Sequence, residues 1–176
     1  TYCYAWGYSA SPFTNRSCGV QIRINARKFR KTNITVLPSP KAIQGRIGML
    51  LLHAFNVSMF FATVYFPPRP VLQKDMAVYR KTVDAIIEAL YDGLYQLNGT
   101  TAVCIGMDNN DNFGLPQDEQ DKYMDCVGPL RPAQENYCST QLRHLCADFG
   151  LGVANTFVGG QDTFFGSRNG APYSSR

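Results

Sequence analysis

The spacing of apolar and polar residues changes period several times along this chain, and each change marks an element. Gly19-Val20-Gln21-Ile22-Arg23-Ile24 alternates, as a half-buried strand does. Before it, residues 1–18 are aromatic (Tyr2, Tyr4, Trp6, Tyr8, Phe13) and read as a loop. Ile34 to Leu37 is a second strand, closed by Pro38 and Pro40. Gly45 to Leu52 is a third, His53 to Asn56 its turn, and Val57 to Tyr65 a fourth, stopped by Phe66-Pro67-Pro68. The loops joining these four strands predict an antiparallel meander. From Gln73 to Leu97 the period lengthens. Met76, Tyr79, Val83, Ile86, Ile87, Leu90 and Leu94 recur every three or four residues, one face of a long helix. Asp75, Arg80, Lys81, Asp84 and Glu88 fall on the other face, and Asn98-Gly99 ends it. Ala102 to Ile105 reads as a buried strand ended by Gly106. A polar stretch with Pro116, Pro129 and Pro132 leads to a second helix, Ser139 to Phe149, with Gly150 as its C-cap. Strands are expected at Gly152 to Phe157, at Thr163 to Phe165, and from Tyr173 onward. There is no repeat, low-complexity tract or linker, so the expectation is one α/β domain over residues 1–176.

Composition adds little to that picture, and charge adds more. The 176 residues are 45% hydrophobic, enough for one domain with a real core. Lysine and arginine number 17 against 13 acids, a net charge of +4 that permits a polyanionic partner without requiring one. Arg23, Arg27, Lys28, Arg30 and Lys31 cluster around Phe29 and read first as a solvated hairpin edge. Asp108, Asp111, Asp118, Glu119, Asp121 and Asp125 crowd a later stretch. No apolar run approaches a membrane span. Both ends read as cut, so a segment of a longer protein is expected. Cys3, Cys18, Cys104, Cys126, Cys138 and Cys146 form neither a CxxC pair nor a zinc-spaced cluster, and free thiols are the simpler account, Cys104 within a core strand. Glycosylation sequons stand at Asn15, Asn33, Asn56 and Asn98, which keeps secretion open as an alternative to an intracellular site.

The stretch Val103 to Gly114 carries the candidate chemistry. Asp108 and Asn110 arrive two residues apart, just after a buried strand. A carboxylate there can orient a water, and an amide can hold a phosphate oxygen. The competing account is an Asx turn, because Asp and Asn bond their own backbone.

These pieces, in this order, resemble the endonuclease/exonuclease/phosphatase family, above all the apurinic-type endonucleases of non-LTR retrotransposons. Gly19-Val20 resembles the family's early strand, Gln44-Gly45-Arg46 its Gly-Arg, and Val64-Tyr65-Phe66-Pro67 its Tyr-x-Pro. Ile105 to Asn110 resembles its Gly-Asp-Phe-Asn with one residue added. Leu151 to Phe157, Thr163-Phe164-Phe165 and Ser175-Arg176 resemble three later motifs. The family's metal-binding Glu and its active-site His have no counterpart here: His53 and His144 lie in other contexts and read as structural or solvated. Pro68 replaces a frequent Asn.

The resemblance implies a two-sheet α/β sandwich, the DNase I-like four-layer fold in partial form. It implies phosphodiester hydrolysis with Mg²⁺ or Mn²⁺ on DNA, in an intracellular and nuclear setting, with no membrane and with a reverse transcriptase downstream in the full-length chain. Asp108 would activate water, Asn110 would hold a phosphate oxygen, and Tyr65 would donate its hydroxyl. Thr163, Ser175, Phe165 and Arg176 would contact the substrate, and Arg168 could meet a phosphate. Arg46 reads as a structural charge paired across the two sheets. Without the Glu and the His the isolated segment should be inactive or nearly so. The alternatives are a non-catalytic remnant that binds nucleic acid, and a phosphatase or lipid phosphodiesterase of the same superfamily.

Overall fold

Stretches of period two become strands, and the long stretch of period 3.6 becomes a helix, in the computed structural model. It describes residues 1–7, 19–110, 113, 126–128, 135–157, 164–168 and 171–175, the last two ranges as backbone. The chain divides into two units, Thr1–Asn110 and Asp111–Arg176.

In the first unit β1 (Tyr2–Gly7) and β2 (Gly19–Ile24) form an antiparallel ribbon, with Tyr2 opposite Ile24 and Gly7 opposite Gly19. A second sheet holds β3 (Ile34–Leu37), β4 (Ile47–Ala54), β5 (Val57–Tyr65) and β6 (Ala102–Asp108) in that order. β3, β4 and β5 run antiparallel, and β5 and β6 run parallel. A parallel pair needs a crossover, supplied by α1 (Met76–Tyr95).

β4 is apolar without alternation because both its faces are covered. Leu50 and Leu52 pack with Ile24, and Tyr2, Tyr4, Trp6 and Ile22 of the ribbon close over them. Gly48 faces the same way, and a Cβ there would run into the Trp6 ring. On the opposite face, a Cβ added to Gly93 of α1 would meet Met49 Sδ at 2.9 Å and Phe60 at 3.3 Å. Ribbon, sheet and helix are therefore three successive layers of the first unit. Tyr79, Val83, Ile86, Ile87, Leu90 and Leu94 are all buried, the stripe the helical spacing predicted. Fully burying one such aliphatic side chain contributes roughly 1.5–3 kcal/mol.

Four expectations change in this unit. Tyr2–Gly7 is a strand rather than a loop, and its aromatic residues at alternate positions are its buried side. With β1 available, β2 pairs with it and leaves the expected four-stranded meander, which is three strands long. Gly106 does not end β6, which continues to Asp108 because its ladder with β5 continues to Tyr65. β6 is exposed or half-buried along its length rather than a buried strand, so Cys104 is exposed rather than in the core. It lies opposite Phe61, on the face the ribbon covers, but the ribbon packs over β4 and β5 and stops short of β6.

In the second unit α2 (Tyr137–Asp148) buries Cys138, Leu142, Leu145 and Cys146. Gly150, with φ of 63°, closes it as expected: the Leu151 N–H donates to Cys146 O at 2.7 Å and the Gly150 N–H to Ala147 O at 3.3 Å. The strand expected over Gly152 to Phe157 is instead one parallel bridge, Val127 to Val153, followed by a 3-10 turn at Ala154–Thr156. The Thr156 hydroxyl explains the change, since it donates to Val153 O at 2.6 Å and accepts the Gly128 N–H at 2.7 Å. A local hydroxyl contact competes with the strand here. β7 (Phe164–Arg168) and β8 (Ala171–Ser175) form an antiparallel hairpin, where strands were expected.

Candidate functional site

The carboxyl ends of the parallel pair β5–β6 hold the three residues that sequence reasoning put first. Tyr65 is the ladder partner of Asp108, the last position of both strands. Neighbouring strands lie about 4.8 Å apart, and paired residues of one sheet share a face. The Phe66 N–H donates to Asp108 O at 2.9 Å, extending the ladder by one bond. Asn110 then folds back across the strand ends, and its Nδ2 donates to Phe66 O at 2.8 Å. Its own N–H donates to Asp108 Oδ1 at 3.1 Å. That bond closes the Asx turn that stood as the alternative account of this motif. Asn110 has φ of 49°, a left-handed conformation that Asn tolerates better than most residues. One pair of side chains thus builds the turn and faces solvent at the sheet's end. Asp108 is exposed, and only its Oδ1 is engaged among the described residues. Asn110 keeps one amide N–H and its carbonyl oxygen free of the bonds that shape the turn.

Arg46 completes the cluster. The Tyr65 N–H donates to Arg46 O at 2.8 Å, and Arg46 Nη1 donates to Tyr65 O at 3.5 Å. Its guanidinium carbon lies 5.5 Å from the centre of the Tyr65 ring. The charge expected to pair across the two sheets therefore stacks on a neighbour in its own sheet. Such a cation–π contact contributes about 0.5–1 kcal/mol at an exposed site, and it orients the phenol. Gly45-Arg46 was visible in the sequence. Its partner was not, because the partner is set by the β4–β5 register, Ile47 opposite Val64.

A carboxylate, an amide, a phenol and a guanidinium at one sheet end can bind a phosphate ester and hold a water beside it. Mg²⁺ takes about six oxygen ligands, usually one or two protein carboxylates with waters and substrate phosphate completing the shell. Among the described residues the strand ends offer one carboxylate, and no group of three or more His, Cys, Asp or Glu could hold a metal ion. This donor set does not by itself complete a site for Mg²⁺.

Of the other predicted residues, Thr163 and Arg176 lie outside the described residues. Phe165 and Ser175 lie on the β7–β8 hairpin of the second unit, where Ser175 is the ladder partner of Phe164. Arg168 is opposite Ala171 on the same hairpin. His53 is exposed, with Nδ1 2.9 Å from Ser58 Oγ. Burial, and secondarily the neighbouring Cys126, push the Cys146 thiol up to about 12, so it stays protonated and unreactive at neutral pH. No described helix is long and apolar enough to cross a membrane.

No family model matches this chain, and a search of curated proteins finds no match. Among solved structures the fold is similar to the endonuclease domain of TRAS1, a telomere-specific non-LTR retrotransposon, with a TM-score of 0.55 at 13% identity. The likeness covers 99% of this chain, which spans 64% of the length of that domain. The fold is thus the mixed α/β architecture of that endonuclease domain.

Proposed function

We propose that this chain is a segment of a divalent-metal-assisted endonuclease that nicks DNA. The observation that carries the proposal is the gathering of Tyr65, Asp108 and Asn110 at the carboxyl ends of the parallel pair, with Arg46 stacked on Tyr65. The fold likeness to a retrotransposon endonuclease domain supports the same reading. In this scheme the Asp108 carboxylate orients the attacking water and takes its proton through Oδ2. Asn110 offers its remaining amide N–H to a non-bridging phosphate oxygen, and Tyr65 donates its hydroxyl to the same phosphate. Thr163, Phe165, Ser175 and Arg176 are proposed to contact the nucleotides beside the cut. Mg²⁺ or Mn²⁺ would stabilise the charge that develops on the phosphorus and the leaving oxygen. The described donors do not by themselves complete a site for that ion. The isolated segment should be nearly inactive, because groups that act as a unit lose far more than their share when separated.

One observation favours a second reading. The Asp108–Asn110 contact is complete as an Asx turn, so these residues have a structural reason to be present. The chain would then be a non-catalytic nucleic-acid-binding form of the fold. Plasmid relaxation in Mg²⁺ separates the two. The segment joined to flanking sequence from its gene should nick, and Asp108→Asn should remove that activity while circular dichroism stays unchanged. No nicking by the longer protein would establish the non-catalytic reading, and nicking that Asp108→Asn leaves intact would show that Asp108 serves the turn alone.

A further inference from the structure

The charge distribution is more lopsided than a net of +4 suggests. Residues 1–74 hold ten of the 17 lysines and arginines and none of the 13 acids. Four of those ten, Arg27, Lys28, Arg30 and Lys31, are exposed on the loop after β2. Among the described residues none of the four has a carboxylate partner. The loop is held in place. Asn25 Oδ1 accepts the Arg27 N–H at 2.9 Å, Asn25 O accepts the N–H groups of Lys28 and Phe29, and the Asn33 side chain donates to His53 O. That last bond ties the loop to the β4–β5 hairpin.

The hairpin tip presents Phe55. Its ring meets Phe29 edge-on, with centroids 6.2 Å apart, yet Phe55 is 82% exposed. Its φ is 54° and that of Asn56 is 61°, as a two-residue turn with both central residues left-handed requires. A bulky residue is a poor choice for that conformation, and Asn or Gly is the usual one. A strained, exposed aromatic ring therefore stands beside unpaired cations. The patch lies at the opposite end of β5 from Tyr65, nine residues along the strand, or roughly 26 Å away at 3.3 Å per step.

We propose that Phe55 and the Arg27–Lys31 loop form a second nucleic-acid site that takes single-stranded DNA or RNA, one base stacking on Phe55 while the cations hold adjacent phosphates. Base–aromatic stacking with flanking cations is how sequence-independent single-strand binding works. An anionic membrane shares the charge requirement, but insertion needs a broad apolar face, and this patch offers one open ring and the half-exposed Val57, with Asn56 and His53 beside them. The site is independent of the Asp108 chemistry, and its test reads binding rather than cleavage.

The experiment is fluorescence anisotropy in EDTA with the 176-residue chain and a labelled oligothymidylate of about 12 nucleotides. Phe55→Asn suits the left-handed turn, so it should fold at least as well as the wild type, and it should weaken binding about 10-fold. Heparin, which has phosphate-like charge and no bases to stack, should bind both proteins equally. Replacing Arg27, Lys28, Arg30 and Lys31 with Gln should lower the slope of log affinity against log salt by about 3, at ~0.7 per phosphate contact on a single strand. The proposal is overturned if Phe55→Asn binds the oligonucleotide as tightly as wild type. It is also overturned if the four-Gln variant keeps the wild-type salt slope, or if Phe55 governs binding to phosphatidylserine vesicles and not to the oligonucleotide.

Discussion

The two ends of the β4–β5–β6 sheet each carry a left-handed residue that is not glycine, and they differ in what that conformation achieves. At one end Asn110, at φ of 49°, uses it to return its backbone N–H to Asp108 and its side chain to Phe66. Its strain is repaid by hydrogen bonds inside the turn. At the other end Phe55, at φ of 54°, gains an edge contact with Phe29 and otherwise faces water. Its strain is not offset by what it touches. The lesson is that an exposed backbone outlier with a local explanation is weak evidence of function, and one without is stronger. By that measure the Phe55 end is the less explained of the two. The Asp108 end rests on its convergence of polar groups.

The sharpest test of that contrast is at Asp108. In the extended protein, Asp108→Asn should lower the rate of plasmid nicking by about 10²–10⁴, the usual worth of a general base. The amide can still accept the Asn110 N–H, so the turn survives and only proton acceptance is lost. More than about a tenth of the activity remaining, against that range, would make Asp108 a turn residue. Next comes Asn110. Asn110→Ala should cost about 10²–10³ by removing an oriented donor. Asn110→Gly keeps the left-handed backbone at no steric cost. If it nicks as well as wild type, the amide serves the turn alone. Tyr65→Phe removes one phosphate contact of several and should cost about 10-fold, near the lower end of the roughly 1.5–3 kcal/mol that one hydrogen bond to a charged group contributes. Phe55→Asn should raise stability by about 1 kcal/mol through relief of left-handed strain. Thermal melting should show this as a rise of roughly 4–8 °C for a unit of this size. A fall in melting temperature would mean that the Phe29 contact outweighs the strain.

The secondary structure that was legible came from uniform local signals. α1 has an apolar stripe of seven residues at helical spacing, and β5 runs from Val57 to Tyr65 as its apolar run and the following prolines indicated. Gly150 was readable as a cap because one positive φ has few candidate residues. What failed was weaker or competed with something local. β1 is hard to read because Tyr2, Tyr4 and Trp6 alternate with Cys3, Ala5 and Gly7, which gives no apolar–polar contrast. The turn at Ala154–Thr156 formed because a Thr hydroxyl captured the backbone that a strand would have used. β6 passed through Gly106 because a ladder partner outweighs one poor strand former.

The site divides along the same line. Sequence alone determined which groups are available: Tyr65 before Pro67, Asp108 and Asn110 two residues apart, Arg46 after Gly45. It also determined that the first 74 residues carry no negative charge. Those are facts of composition and short spacing, and no folding alters them. Only the tertiary structure decided that Tyr65 and Asp108, 43 positions apart, are ladder partners, that Arg46 stacks on Tyr65, and that Phe55 stands next to the Arg27–Lys31 loop. Each of these depends on strand register and on which elements stack. Register is fixed by burying one face of every strand at once, a condition that no short stretch of sequence contains.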